Sequence, residues 1–308
     1  MAKATREAFG ATLVDLAREG VDVVAVEADL SKSTTTATFA DAFPERFFNV
    51  GIAEQNMIDV AAGLAVSGKV AFTGSFAVFA TGRAYDQVRN TVCYSGLDVK
   101  LAPTHSGITV GPDGGSHQMI EDIALMRVLP GMRVLVPADY AAARAALRAA
   151  AMTPGPFYIR LGRTSFADVY GDDFEFEVGR AYVLREGTDV TLAACGIEVA
   201  EALKAAETLA AEGISAEVID VASVKPLDVD TLVTSVAKTG RIVTCEEHSV
   251  LGGMGSAVSE VLSEVCPVPT RRIGVADVFG TSGEPAELVE HFGLSAEHIA
   301  AAARELTS

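Results

Sequence analysis

The chain has 308 residues, of which 49% are hydrophobic and 21% charged, as in folded globular proteins rather than disordered ones. Its net charge of −17, from 24 basic and 41 acidic residues, argues against nucleic acid or an anionic membrane surface as the main partner. The four scattered cysteines form no CxxC pair, and neither a signal-like N-terminus nor a membrane-length apolar span is present, so we expect reduced thiols in a cytoplasmic protein.

The first half of the chain alternates short β-branched runs with Ala-rich stretches. The runs predict buried strands at 22–28, 70–76, 98–104, 133–138 and 156–162. The stretches between them predict helices at 3–19, 53–67 and 139–151. Because the strands are almost continuously apolar, this alternation favours a parallel sheet covered by helices on both faces.

The pattern lapses around residues 165–180, where the sequence becomes polar, acidic and rich in turn residues. Alternation then restarts, with strands predicted at 189–196, 215–225, 241–247 and 270–275. We therefore predict an α/β protein of two domains, each a mostly parallel sheet flanked by helices. The predicted bounds are 1–170 for the first domain, 171–185 for a linker and 186–308 for the second domain.

The stretch NVGIAEQNM places a single acid, Glu54, just before a helical run with apolar neighbours. A carboxylate in a first helical turn meets free backbone N–H groups and the positive end of the helix dipole. The other interpretation is a buried acid that moves a proton. On these nine residues alone the helix start is the favoured interpretation.

Polar residues follow several of the predicted strands, which matters because ligands of open parallel sheets bind at the carboxyl ends of the strands. Ser33 follows the first strand, and Arg163 follows the strand at 156–162. A Gly-rich loop with His105, Asp113 and His117 holds two of the five histidines of the chain. Two histidines in one such loop make a functional site about as probable as ordinary surface or core positions. We predict no metal site, because no third His or Cys stands at ligand spacing.

Two further pairs of residues have open interpretations. Phe76 and Phe79 lie three residues apart after a strand, where they either pack in the core or offer an aromatic face to a planar ring. Arg6 and Arg163 are solvated charges unless they converge, in which case they suit phosphate oxygens.

Four segments together resemble the C-terminal half of a transketolase, in the form that is split into two polypeptides. They are GIAEQNM, FTGSFAVFATGRAYDQVRN, THSGITVGPDGGSHQMIEDIALMRVLPGMRVLVPAD and TCEEHSVLGGMGSAVSE. The match covers essentially the whole chain, with the motifs in family order and at family spacing. It implies a pyrimidine-binding domain followed by a transketolase C-terminal domain.

The resemblance implies a site for thiamine diphosphate. In the position of Glu54 the family has a glutamate that hydrogen-bonds to N1′ of the aminopyrimidine and so helps the cofactor to lose its reactive proton. By the same match, Phe79 stacks on the pyrimidine with Phe76 nearby, and Ile52 also belongs to the cofactor site.

The resemblance further implies that a two-carbon unit passes from a ketose phosphate to an aldose phosphate. Residues matching His105, Asp113 and His117 contact the sugar hydroxyls and carbonyl oxygen in the family. Those matching Arg6, Ser33 and Arg163 hold the sugar phosphate, with His105 reaching it as well.

The sequence departs from the family at two positions, Gly82, where single-chain members have an aromatic residue, and Ser106, where THD is usual. The GDG motif through which thiamine enzymes bind the diphosphate and Mg²⁺ does not occur anywhere in the chain. We therefore expect a second polypeptide to supply that motif and bind Mg²⁺, in a two-fold α2β2 assembly with the cofactor at the interfaces.

Three alternatives remain open at this point. The β subunit of a 2-oxo acid dehydrogenase has the same two-domain plan, RAYDQV is similar to deoxyxylulose phosphate synthases, and a non-catalytic scaffold could keep the fold. In the second domain, Glu246, Glu247 and His248 follow a predicted strand. For them we favour an interface or helix-capping role over catalysis.

Overall fold

The computed structural model describes residues 2–308 as alternating strands and helices. The strands are β1 (Val23–Glu27), β2 (Phe47–Asn49), β3 (Val70–Gly74), β4 (Val99–Leu101), β5 (Arg133–Leu135), β6 (Phe157–Ile159), β7 (Tyr182–Arg185), β8 (Val190–Ala194), β9 (Ala216–Asp220), β10 (Ser223–Lys225), β11 (Ile242–Ser249) and β12 (Thr270–Val275).

The α-helices are α1 (Glu7–Arg18), α2 (Ser31–Thr34), α3 (Ala37–Ala42), α4 (Glu54–Val66), α5 (Tyr85–Gln87), α6 (Asp122–Arg127), α7 (Tyr140–Met152), α8 (Glu198–Ala211), α9 (Val229–Thr239), α10 (Met254–Val265), α11 (Pro285–His291) and α12 (Ala296–Thr307). The predicted helices at 3–19, 53–67 and 139–151 are confirmed as α1, α4 and α7. Two π-helical segments, Val78–Arg83 and Val88–Cys93, flank α5.

Two sheets form the framework of the molecule, and both are mostly parallel, as the alternation predicts. The first has the strand order β10-β5-β6-β4-β3-β1-β2, with only β10 antiparallel to its neighbour. The second has the order β12-β11-β8-β9-β7, with only β7 antiparallel. Strands β1 and β8 are buried along their whole length, which explains their almost continuous apolar runs.

The prediction of one continuous strand at 215–225 is wrong. The chain leaves the second sheet after β9 and then forms β10, which pairs with β5 of the first sheet. The backbone N–H of Val136 donates to the carbonyl oxygen of Ala222 (2.8 Å) at this crossing. The sequence of these eleven residues does not reveal a change of sheet, because both strands are mostly buried.

The hydrophobic core is continuous between the two domains. One cluster of buried side chains includes Val134 and Tyr158 of the first sheet together with Val221, Val224 and Leu232 of the second domain. Strand β7 lies within the predicted linker and belongs to the second sheet. The sequence does not predict strand β2. This strand is short, and only three of its residues pair with β1.

Asp139 shows how the sequence starts a helix and fixes the linker at the same point. Its Oδ1 accepts a hydrogen bond from the backbone N–H of Ala142 (2.8 Å) and caps α7. Its Oδ2 accepts from the N–H groups of Val169 and Tyr170 at 2.7 Å each. The end of the first domain is therefore tied to the helix that precedes β6.

No helix within residues 2–308 combines the length and apolar character needed to cross a bilayer.

Helix α1 lies very close to the chain that follows α2. A Cβ on Gly10 would overlap the carbonyl oxygen of Thr35, so only glycine allows this approach. The hydroxyl of Thr35 in turn donates to the carbonyl oxygen of Arg6 (2.7 Å). The close packing thus sets the position of Arg6 relative to Ser33.

Two glycine-to-alanine substitutions in helices are expected to have opposite effects on stability. G10A forces α1 away from Thr35 and should lower the free energy of unfolding by about 1–3 kcal/mol. G63A in α4, where a Cβ meets open space, is the matched control and should raise it by up to about 1 kcal/mol. Denaturant unfolding of the isolated chain measures both, and equal effects of the two substitutions would contradict the packing described.

Candidate active site

Except for Arg6, which lies directly before α1, the predicted site residues follow five neighbouring strands of the first sheet, β6, β4, β3, β1 and β2. These strands are parallel, so their carboxyl ends meet at one edge. Glu54 follows β2, Phe76 and Phe79 follow β3, His105 follows β4 and Arg163 follows β6. The topology therefore brings together residues that lie more than 100 positions apart in the sequence.

Glu54 is the first residue of α4, and its side chain is buried. One carboxylate oxygen pairs with Nη1 of Arg83 at 2.8 Å. The guanidinium of Arg83 also lies over the ring of Phe79, 4.7 Å from its centroid. The pairing compensates the buried negative charge and places it next to the aromatic face of Phe79.

Phe76 and Phe79 form the centre of an aromatic cluster. Their rings are stacked with centroids 6.1 Å apart and an interplanar angle of 15°. His105 stacks on Phe76 at 3.9 Å, and His117 meets Phe79 edge-on at 5.5 Å. Both histidines therefore contact the pair formed by Phe76 and Phe79, and Arg83 lies over Phe79 of the same pair.

His105 is held in an unusual backbone conformation and in a buried place. Its φ is +61°, and Nδ1 lies 2.7 Å from the hydroxyl oxygen of Thr104. Burial, followed by the positive charges of Arg6 and Arg163, lowers the pKa of His105 from 6.5 to about 3. The imidazole is thus neutral near pH 7, with one ring nitrogen as a donor and the other as an acceptor.

The backbone N–H of Arg6 donates to the carbonyl oxygen of Gly162 (3.3 Å), which places Arg6 beside Arg163, and the charges of both arginines act on the ring of His105. Burial and the charge of Arg163 lower the pKa of Arg6, as expected for two cations that face one another. Arg6 Nη1 donates to the carbonyl oxygen of Ser33 (2.8 Å), and Arg163 Nη1 donates to Asp113 (3.2 Å). Two guanidinium groups in one place offer the planar donor forks that phosphate-like oxygens accept from.

The comparisons with known proteins agree with this arrangement. The family described as transketolase, pyrimidine binding domain, matches residues 1–167, and that described as transketolase, C-terminal domain, matches residues 179–299. Between them the two matches cover most of the chain. The chain belongs to the transketolase family.

Individual relatives show which part of a transketolase the chain resembles. The chain is 48% identical to a putative transketolase C-terminal section of Methanocaldococcus jannaschii, over 97% of this chain and 94% of that one. It is 47% identical to the 6-deoxy-6-sulfo-D-fructose transketolase subunit SqwH of Clostridium sp. (strain MSTE9), over 98% and 94%. A solved structure titled split gene transketolase, inactive beta4 tetramer, shares 54% identity and a TM-score of 0.92, over 100% and 99%.

The resemblance to the C-terminal part of a split transketolase is thus confirmed. The structure also shows where the residues that depart from the family pattern lie in this transketolase-family chain. Gly82 is exposed, and apart from its chain neighbours a Cβ there would meet no atom of residues 2–308 within 4 Å. Ser106 is buried within the Gly-rich loop, next to His105. Ile52 is 78% exposed beside the start of α4, so it can line a cofactor pocket only if a second surface covers it.

Sequence reasoning missed two residues of this site, Arg83 and Glu27. Arg83 is the first basic residue after the two phenylalanines, a position that offers a signal only once Glu54 is known to be its neighbour. Glu27 ends the otherwise apolar strand β1 and is fully buried. A single acidic residue at the end of an apolar strand is the sequence signal that could have identified Glu27.

Glu27 holds the segment that carries Ser33. Its carboxylate accepts hydrogen bonds from the backbone N–H of Leu30 (3.1 Å) and from the hydroxyls of Thr34 and Thr36. Burial raises the pKa of the Glu27 carboxyl from 4.5 to about 7, and the hydrogen bonds only partly oppose this shift. The turn after β1 therefore depends on a carboxyl that titrates near neutral pH.

Glu246 confirms the helix-capping interpretation. Its two carboxylate oxygens accept from the backbone N–H groups of Met254 (2.6 Å) and Gly255 (2.9 Å) at the start of α10. Glu247 points the other way and accepts from the N–H of Thr109 (2.7 Å), in the loop that contains both site histidines.

The raised pKa of Glu27 predicts a pH-dependent stability. The folded chain binds this proton more tightly than the unfolded chain between about pH 4.5 and 7, so the contribution of Glu27 falls as the pH rises through this window. E27Q removes the ionisation. The free energy of unfolding of E27Q minus that of the wild type should therefore be roughly 2–3 kcal/mol larger at pH 8 than at pH 5. Denaturant unfolding at both pH values measures this, and a constant difference would contradict the assignment.

Proposed function

We propose that the chain is the C-terminal subunit of a transketolase that transfers a two-carbon glycolaldehyde unit from a ketose phosphate to an aldose phosphate. It acts with thiamine diphosphate and an N-terminal subunit that binds the diphosphate. The observation that carries the proposal is the buried carboxylate of Glu54, which the guanidinium of Arg83 links to the face of Phe79 in the aromatic pair that His105 and His117 contact.

The residues around Glu54 suit an aminopyrimidine ring. Phe79 offers a flat face that is covered on one side by the guanidinium of Arg83, and a ring that stacks on that side has to displace it. Glu54 can then exchange its pairing with Arg83 for a hydrogen bond to a ring nitrogen. When bound, thiamine diphosphate supplies the nucleophilic carbon for ketol transfer.

The histidines and arginines suit a sugar with a terminal anion. The ring N–H of neutral His105 can donate a hydrogen bond to an oxygen that gains negative charge. Arg6 and Arg163 can hold the terminal anion, while Asp113 orients Arg163 through their ion pair. Ser33, whose carbonyl oxygen accepts from Arg6 (2.8 Å), can supply a further hydroxyl.

Dependence on a partner rests on three observations. The chain contains no GDG motif, and the relatives that it matches along nearly their full length are called a C-terminal section or a subunit. The similar split gene transketolase is described as an inactive beta4 tetramer. We therefore infer an α2β2 assembly in which the N-terminal subunit binds Mg²⁺ and covers the exposed Ile52.

Calorimetric titration of thiamine diphosphate with Mg²⁺ tests whether cofactor binding requires the N-terminal subunit. The chain alone should show no tight binding, whereas a mixture with the N-terminal subunit should bind the cofactor and catalyse transfer from xylulose 5-phosphate. Tight Mg²⁺-dependent binding by the chain alone would overturn the two-subunit proposal. Cofactor binding by the mixture without ketol transfer would favour a scaffold role.

Replacement of Glu54 tests its role in proton transfer. E54Q keeps the shape of the side chain but removes its charge, so kcat of the assembled enzyme should fall by roughly 10²–10⁴-fold. D59N is the matched control, because Asp59 is an exposed acid on the same helix. It should leave kcat within about twofold of the wild type. Steady-state kinetics of the assembled enzyme distinguishes these outcomes, and full activity of E54Q would contradict the role.

Replacement of Arg163 tests recognition of the terminal anion. R163K keeps the charge but loses the planar fork, so KM for the ketose phosphate should rise roughly tenfold or more. R18K, on the exposed end of α1, is the control and should not change KM. Parallel assays with xylulose 5-phosphate and 6-deoxy-6-sulfofructose show which anion the site prefers. An unchanged KM for both substrates in R163K would contradict anion binding at this place.

A further inference from the structure

We propose that the second domain positions the histidine loop, defined as residues 104–118, through Glu247 at its base and the segment 280–283 at its tip. Glu247 and this segment are positioning elements, since they touch the loop and not the aromatic pair. The consequence for substrate binding rests on the proposed function, whereas the clamp itself rests on contacts between the two domains.

At the base of the loop, the carboxylate of Glu247 takes the place of a backbone carbonyl group as a hydrogen-bond acceptor. It is buried and accepts the N–H of Thr109 at 2.7 Å. Gly107 passes directly over it in a left-handed conformation (φ +77°), and a Cβ there would overlap the carboxylate. The loop thus follows the surface of this one side chain closely, two residues after His105.

The position of Glu247 is fixed in turn by Arg160 at the end of β6. Nη1 of Arg160 lies 3.7 Å from the Glu247 carboxylate, and Nη2 donates to its backbone carbonyl oxygen at 2.9 Å. Nη2 also donates to the carbonyl oxygen of Met119, directly after the loop (3.2 Å). A buried carboxylate needs such a compensating cation, so the clamp is a matched pair and not an isolated contact.

At the tip, the loop packs against backbone of the second domain. A Cβ on Gly115 would lie 2.6 Å from the carbonyl oxygen of Gly280, and one on Gly114 would lie 2.6 Å from the hydroxyl oxygen of Ser282. Gln118 donates from Nε2 to the carbonyl oxygen of Thr281 (2.9 Å) and to that of Ile108 across the loop (2.9 Å). Both ends of the loop are therefore set by the second domain.

These contacts determine where the two imidazoles stand relative to the phenylalanines. His105 and His117 lie within the clamped segment, whereas Phe76, Phe79 and Glu54 belong to other elements of the first domain. Loss of the clamp should therefore displace the groups proposed to bind the sugar and leave the groups proposed to bind the cofactor ring in place. This separation gives the clamp an effect that general destabilisation would not produce.

Hydrogen exchange of the full-length chain tests the clamp without any need for activity. E247A removes the acceptor and should speed exchange several-fold in peptides covering the histidine loop, and E247Q, which restores an acceptor, should return most of the protection. E246A is the matched control, because it removes an equally buried carboxylate that caps α10. It should speed exchange at the start of α10 and not in the loop.

Unchanged exchange of the histidine loop in E247A would overturn the inference. If E247A does not fold, G280A serves instead, because a Cβ on Gly280 would overlap the amide of Gln118 and push on the tip from the second domain. It should likewise speed exchange in the loop, and unchanged exchange there would overturn the inference equally.

Kinetics of the assembled enzyme tests the effect on substrate binding. In E247A the KM for the ketose phosphate should rise roughly tenfold, while calorimetric affinity for thiamine diphosphate with Mg²⁺ stays within about twofold. Equal losses of both affinities would indicate general destabilisation and overturn the positioning role. Absence of ketol transfer in the wild-type assembly would overturn the proposed function alone, since the exchange measurement does not depend on it.

Discussion

The guanidinium of Arg160 holds together the parts of the molecule on which the site depends. It is buried where β6 ends, and its Nε donates to Asp122 at the start of α6 at 2.7 Å. Its other nitrogens reach Met119 and Glu247. A cation cannot stay buried without such partners, so the loop, the helix and the second domain have to meet around it. The hydroxyl of Tyr158, which donates to Asp122 at 2.5 Å, completes this set of contacts.

Around this anchor, the parallel sheet produces a site whose charges are separated. A carboxylate, Glu54, lies at one end, and two guanidinium groups, those of Arg6 and Arg163, lie at the other. Stacked phenylalanine rings lie between them, with neutral imidazole next to them. Under the function proposed above, the cofactor ring would lie at the Glu54 end and the terminal anion of the sugar at the arginine end. No single element carries this pattern, which arises only when five strand ends meet.

Much of this could be predicted from sequence, because buried parallel strands and Ala-rich helices leave local patterns. The helix that starts at Glu54 and the Gly-rich loop with both histidines were predicted at their correct places. The switch of residues 215–225 between sheets was not, because burial looks alike in either sheet. Arg83 and Glu27 were missed for a related reason. Their significance comes from partners that lie 29 and up to 9 positions away, and such pairings are decided by tertiary packing.

The exchange of β10 into the first sheet has a consequence for the independence of the two domains. Ser223 and Lys225 pair with the outer side of β5, and Lys225 Nζ donates to the carbonyl oxygens of Arg127 (2.8 Å) and Leu129 (2.6 Å). A truncation after the first domain would uncover β5 as an open edge, with buried apolar side chains beside it, and would favour intermolecular strand pairing. The two domains are therefore not interchangeable modules. Recombination between relatives should succeed only when both halves of this shared sheet come from the same parent.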